Sequence, residues 1–125
     1  MVIIDTSALI RYFTGDIKKG AERVASLFDS SETLLVPDVV LPEIEYILLG
    51  KTYKAGREKV LGAFKFIATR SNVIISKEAK EAIKIYESSK LDMADCIVAA
   101  HSINHKLTSF DKSLLKTPGI GSYWG

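Results

Sequence analysis

Apolar positions along the chain alternate between short runs and helical stripes. Val2, Ile3 and Ile4 form a β-branched run ended by Asp5, the pattern of a buried strand. Ala8, Leu9, Tyr12 and Phe13 follow at helical spacing, and Gly15 supplies a stop. Ile17, Ala21, Val24, Ala25 and Phe28 make the stripe of a second helix. Residues 33–36, closed by Pro37, predict the next strand. Asp38 is placed to cap a helix carrying Val40, Ile44, Ile47 and Leu48 on one face, with Pro42 in its first turn and an end near Gly50. Val60, Leu61, Phe64, Ile67 and Ala68 mark another helix, 72–75 a strand, and Ala79, Ala82, Ile83 and Tyr86 a further helix. Residues 92–105 read as helix and 106–110 as a strand running into Asp111, while 117–121 read as irregular.

Strands separated by helices, some of them paired, predict a mostly parallel sheet covered on both faces. The expected class is α/β, a three-layer α/β/α arrangement with a mostly parallel central sheet. No linker, repeat or low-complexity tract interrupts the pattern, so residues 1–125 are expected to form one domain.

Composition narrows the classes. With 125 residues, 47% hydrophobic and 26% charged, the chain can bury a core without disulfide or metal staples. The longest apolar run, Cys96–Ala100, is five residues, far short of the ~20 a membrane helix needs. No membrane partner is expected. The N-terminus lacks a basic region and meets Asp5 at once, which does not suit a signal peptide. The single cysteine, Cys96, excludes an internal disulfide and points to a reducing cytoplasm. A net charge of +2 is too small to argue for nucleic acid or membrane by itself.

Ligands of open parallel sheets bind beyond the carboxyl ends of the strands, so the residues there are the ones to weigh. Neither a Gly-x-Gly-x-x-Gly turn after the first strand nor a phosphate-binding Gly-x-x-x-x-Gly-Lys-Ser/Thr loop is present. Acids stand there instead. Asp5 ends the first strand, Asp111 ends the last, and Asp92 and Asp95 share one helix face. Glu43 and Glu45 lie about 200° apart on their helix, so only one can face a common pocket. The stripe through Val40, Ile44 and Ile47 flanks Glu43 and makes it the inward candidate. Each acid also suits a structural role: Asp5 and Asp111 as helix caps, Asp92 and Asp95 as a capping box, and the glutamates as first-turn residues. As a set at one sheet edge they would repel one another unless a cation sat among them. Oxygen-rich clusters suit Mg²⁺ or Mn²⁺, whose chemistry serves phosphodiester hydrolysis.

The order and context of these acids resemble the PIN domain. Residues Ile3-Ile4-Asp5-Thr6-Ser7-Ala8-Leu9-Ile10 resemble its opening strand and first acid. Val40-Leu41-Pro42-Glu43-Ile44-Glu45 resembles its glutamate helix, Leu91-Asp92-Met93-Ala94-Asp95-Cys96 its third motif, and Leu107-Thr108-Ser109-Phe110-Asp111 its fourth. The likeness spans nearly the whole chain, and its length suits the branch containing the VapC-type ribonuclease toxins. It implies an endoribonuclease that cuts single-stranded RNA with Mg²⁺ or Mn²⁺, using Asp5, Glu43, Asp95 and Asp111. Asp5, Asp95 and Asp111 would hold metal, Thr6 or Ser7 would orient Asp5, and Ser109 would hydrogen-bond near Asp111. Ser109 departs from the threonine usual at that position. Asp92 matches a position often acidic, as accessory ligand or helix cap. A homodimer and a cognate antitoxin partner are further implications of the resemblance. Water attack should leave a 5′-phosphate and a 3′-hydroxyl.

Other features carry less. His101 and His105 have metal-ligand spacing, but no Glu follows the first histidine, and His101 lies about 240° round the helix from Asp95. Cys96 opens an apolar run and reads as a buried thiol. Lys51, Lys54, Arg57 and Lys59 surround a helix start, as RNA contacts or a solvated face, and Arg11 lies near the first acid. Tyr46, Ile47, Leu48 and Leu49 leave more apolar surface than one buried face needs, as a dimer surface or a doubly packed core. The expected function is the ribonuclease toxin of a toxin–antitoxin pair. The rivals are a PIN nuclease of RNA maturation or decay without an antitoxin and an inactive RNA- or protein-binding module. A phospho-receiver is disfavoured, because Thr6 and Ser7 rather than an acid follow Asp5.

Overall fold

The computed structural model describes residues 1–125, which form two compact units, 1–76 and 77–125. The first unit contains β1 (Val2–Ile3), α1 (Thr6–Thr14), α2 (Lys18–Phe28), β2 (Leu34–Leu35), α3 (Val40–Leu49), α4 (Arg57–Thr69) and β3 (Val73–Ile74). Its strands form a parallel sheet in the order β1-β2-β3, with Val2 opposite Leu34 and Leu34 opposite Val73. Backbone bonds carry the pairing beyond the short strands: Ile4 N–H donates to Leu35 O (3.0 Å) and Val36 N–H to Ile74 O (3.1 Å). A helix pair connects each strand to the next, as parallel pairing requires.

Side chains alternate across this sheet. Ile4, Leu34, Val36 and Ile75 are buried, together with Leu9, Ile44, Val60, Phe64 and Ile67 from the helices. Ile3 and Ile74, which flank Leu35 in the register, are exposed. The run Val2–Ile4, expected as a buried strand, is thus buried at Ile4, half-buried at Val2 and exposed at Ile3. The two-residue period of a strand sends neighbouring side chains to opposite faces, so a wholly apolar run does not require two packed faces.

Local rules explain most element ends. Asp5 caps α1, and Gly15 closes it in the left-handed region at φ 65°, where a side chain is disfavoured. Pro42 falls in the first turn of α3, where its missing N–H costs little. Asp38 does not cap that helix. Val39 occupies the cap position without a side-chain bond, and Asp38 instead accepts a hydrogen bond from Ser76 Oγ at 2.8 Å.

Tyr12, Phe28 and Phe66 bring α1, α2 and α4 together, with ring centroids 4.8–5.4 Å apart. A second tie joins the α1–α2 turn to the segment after α3, where Tyr53 OH donates to Asp16 Oδ2 at 2.6 Å. That bond, with help from Thr14, holds the Asp16 carboxyl below its ordinary range, and it raises the Tyr53 phenol. Asp16 thus adds stability above its unfolded pKa of ~3.9, lost as pH falls through the lowered folded value. Tyr53 adds stability below its unfolded pKa of ~10, lost as pH rises through the raised folded value. Thermal melts of Tyr53→Phe against the parent are expected to differ most between these limits and to converge outside them. The pair is at the surface, so the difference is small.

The second unit contains α5 (Lys77–Ser88), α6 (Met93–Ser102), β4 (Lys106–Leu107), α7 (Lys112–Leu115) and β5 (Gly121–Ser122). Helices α5 and α6 pack on one another and bury Ala79, Ala82, Tyr86, Met93, Cys96 and Ala99, the Cys96 thiol donating to Leu91 O at 3.8 Å and forming no disulfide. Two expectations are corrected here. The helix expected to run to 105 ends at Ser102, where Ile103 turns extended at ψ 127° and Asn104 follows in the left-handed region at φ 67°. The tail expected to be irregular over 117–121 is so from 117 to 120 but enters β5 at Gly121, which pairs in parallel with β4 through Lys106 opposite Gly121 and Leu107 opposite Ser122. No helix is long and apolar enough to cross a membrane.

Candidate metal-binding acids

In the first unit, the end of β1 feeds directly into the first turn of α1 and presents Asp5, Thr6 and Ser7 in succession. Asp5 Oδ1 accepts from the Ala8 N–H at 3.1 Å and from Ser7 Oγ at 2.8 Å. Those donors, the Ala8 amide foremost, hold the Asp5 carboxyl below the usual range, so it is an anion at neutral pH. Thr6 turns the other way. Its hydroxyl donates to Glu43 Oε1 at 2.6 Å, a contact between α1 and α3 that bridges 37 residues of sequence. Of the two hydroxyls expected to orient Asp5, Ser7 does so, and Thr6 serves Glu43.

Glu43 was the expected inward glutamate, but the buried one is Glu45, at 8% exposure, while Glu43 is exposed. The buried stripe of α3 runs through Leu41, Ile44, Glu45 and Leu48, and Ile47 lies outside it. Glu43 therefore stands at the rim of α3, where Thr6 fixes its carboxylate. Both acids face solvent beside the sheet end rather than inside a cavity. The hollow of about 920 Å³ in this unit is lined by Tyr12, Phe13, Tyr53 and Phe66 with Lys54 and Lys59, away from the acids. Arg11 lies against Gly20 of α2.

In the second unit, Asp92 is the N-cap of α6, and its Oδ1 accepts from the Asp95 N–H at 2.8 Å. Asp95 is half-buried in the first turn. Asp111 caps α7 by accepting from the Leu114 N–H at 3.1 Å, and its own N–H donates to Ser109 Oγ at 2.9 Å. Ser109 thus bonds the Asp111 backbone and shapes the turn that delivers the carboxylate. His101 is exposed in the last turn of α6, whereas His105 lies in the following turn, so the two do not share a helix face. Sequence periodicity gave Phe110 no role beyond ending a strand. In the structure its ring is exposed and stacks on Trp124.

Every candidate acid ends in oxygen, a donor set that fits a hard divalent cation and not a thiolate- or imidazole-seeking one. One or two carboxylates with retained waters are enough for Mg²⁺. No group of three or more His, Cys, Asp and Glu side chains is gathered to hold a metal.

The model of the PIN domain matches residues 2–120, across both units. No curated protein and no solved structure gives a significant match. The match and the parallel strands agree with the three-layer α/β/α class expected from the sequence.

Proposed function

The chain belongs to the PIN domain family and has a nuclease-type fold, and from the acids at its strand ends we propose that it is a divalent-metal-dependent endoribonuclease acting on single-stranded RNA. The observation that carries this reading is the pairing of Asp5 with Ser7 and of Glu43 with Thr6. Two consecutive residues in the first turn of α1 hold two carboxylates, one from the N-cap of that helix and one from α3. Neither carboxylate has a cation as its hydrogen-bonding partner at these contacts; both are oriented by hydroxyls that leave their charge intact.

Asp5, Asp95 and Asp111 would hold Mg²⁺ or Mn²⁺, with Glu43 as the fourth acid. Bound there, a divalent ion supplies the positive charge that phosphodiester hydrolysis needs on the attacking and leaving oxygens. The protein's own part is orientation. The Ala8 amide and Ser7 keep Asp5 ionised, Thr6 positions Glu43, and the Ser109 turn sets Asp111. Attack by water rather than the ribose 2′-hydroxyl leaves a 5′-phosphate and a 3′-hydroxyl. Incubating purified protein with a defined set of single-stranded RNAs, with Mg²⁺ and with EDTA, tests this. Cleavage confined to the Mg²⁺ arm with 5′-phosphate ends is expected, and intact RNA in both arms rejects the reading.

Within the family, the reading extends to the VapC-type toxin branch, with a protein antitoxin and a homodimer. A small reading frame beside the gene supports the toxin role, and its absence favours RNA maturation or decay. The dimer surface would be α3. Tyr46 is 81% exposed, and Val39, Ile47 and Leu49 are exposed with it, whereas Leu48 belongs to the core. Sedimentation equilibrium at tens of micromolar is expected to give a dimer, and Tyr46→Glu a monomer. A wild-type monomer at that concentration counts against the interface.

A further inference from the structure

We propose that the stacked rings of Phe110 and Trp124 form a platform that holds one nucleobase of single-stranded RNA beside Asp111. The inference rests on the nuclease reading and names a contact through which the substrate would be held.

Phe110 is 90% exposed and Trp124 59% exposed, yet their rings lie 5.2 Å apart at 27°, an offset-stacked pair on the surface. The backbone under both rings is tied down. Trp124 follows β5, which pairs with β4, and the Tyr123 N–H donates to Leu107 O at 2.8 Å. The Trp124 N–H donates to Ser122 Oγ at 3.2 Å, and the Asp111 N–H to Ser109 Oγ at 2.9 Å. The late parallel strand, which had no apolar signature in the sequence, thus brings Trp124 against the residue that precedes a candidate metal-binding acid.

Chemistry around the rings favours a base over a protein face. The sequence neighbours of the two rings are Ser109, Asp111 and Lys112 on one side and Ser122 and the exposed Tyr123 on the other, polar or aromatic side chains with no aliphatic one among them. A nucleobase needs only a π-face to stack, and its polar edges can remain in water. Lys106 and Lys112 are exposed on the flanking elements, available to phosphates. Phe110 directly precedes Asp111 in the chain, so a base on its ring is held beside the segment that carries that acid. Stacking of this kind tolerates any base, which fits grip without sequence choice.

Trp124 is the only tryptophan, so its fluorescence reports on this site alone. A short mixed-sequence single-stranded RNA, titrated in EDTA so that it is not cut, is expected to quench Trp124. An abasic strand of the same length should not quench it. Phe110→Ala and Phe110→Leu should each weaken RNA binding roughly 5- to 150-fold, with Phe110→Trp close to the parent. The residue is exposed, so the variants are expected to melt with the parent. RNA cleavage by the parent in Mg²⁺ with no quench and equal affinity in Phe110→Ala overturns the platform and leaves the nuclease reading standing. Quench without cleavage supports the platform and rejects the nuclease reading. A change in self-association in Phe110→Ala at unchanged RNA affinity assigns the rings to a protein interface and overturns the proposal.

Discussion

Asp5→Asn is expected to keep the fold and to lose metal-dependent cleavage by at least about a hundredfold, since even partners outside the direct ligand set cost about 10- to 100-fold. Asn is as good an N-cap as Asp, so α1 keeps its start and the Ala8 amide keeps an acceptor. The change removes only the negative charge and one anionic oxygen, which a hard cation needs most. Thermal melting should be unchanged or slightly lowered, because the Ala8 amide and Ser7 favour the ionised carboxylate over a neutral group. Thr6→Val provides the graded companion. It deletes the hydroxyl that holds Glu43 at 2.6 Å and should slow cleavage by about 10- to 100-fold without abolishing it. Rates against Mg²⁺ concentration, with melts of the same preparations, decide both cases. An Asp5→Asn protein as active as the parent removes the basis for a carboxylate metal site.

Elements whose ends obey local rules were legible before any coordinates. Gly15 stops α1 because the left-handed position there favours glycine, and Asp5 begins it because a strand-ending aspartate can serve the next helix. Asp38 misled because the same capping chemistry was claimed by a distant residue, Ser76. Local propensity carries no information about such a partner. The early end of α6 had a signal, since Asn is the non-glycine residue most at ease at positive φ, but Asn104 lay inside an otherwise helical stretch. β5 had none. Gly121 and Ser122 show no alternation, and only the register of β4 makes them a strand.

The same division runs through the site. The capping positions of Asp5 and Asp111 were legible, because an aspartate ahead of an amphipathic stretch accepts the first-turn amides, as both do here. The glutamates were not, because α3 is apolar on nearly every side. Val39, Tyr46, Ile47 and Leu49 are exposed while Val40, Leu41, Ile44 and Leu48 are buried, so hydrophobicity cannot phase the helix. The helical angle correctly required the two glutamates to differ. Which one turns inward depended on packing that placed Glu45 in the buried stripe and left Glu43 to Thr6. Phe110 and Trp124 escaped sequence reading for the opposite reason: 14 residues separate them, and a parallel ladder rather than a periodic pattern brings them together.

Asp92 and Asp95 share one helix turn, and substitution should separate them sharply. Asp92 Oδ1 accepts the Asp95 N–H at 2.8 Å, so its carboxylate is already engaged as the cap of α6. Asp92→Ala should therefore cost about 0.5–2 kcal/mol of stability. Asp92→Asn preserves the cap and is expected to be nearly silent in both stability and cleavage. Asp95 donates its backbone N–H to that cap, and its half-buried carboxylate is the group the nuclease reading assigns to the metal. Asp95→Asn should lose cleavage as severely as Asp5→Asn, while Asp92 keeps its capping bond to the residue-95 amide. Denaturant unfolding, Mg²⁺ titration and cleavage rates on the two Asn variants make the comparison. An active Asp95→Asn beside an inactive Asp92→Asn reverses the assignment and makes the cap residue the metal ligand. In that case the cation would compete with the Asp95 N–H for the same carboxylate, and Mg²⁺ binding should then loosen the first turn of α6, which amide hydrogen exchange at Asp95 would detect.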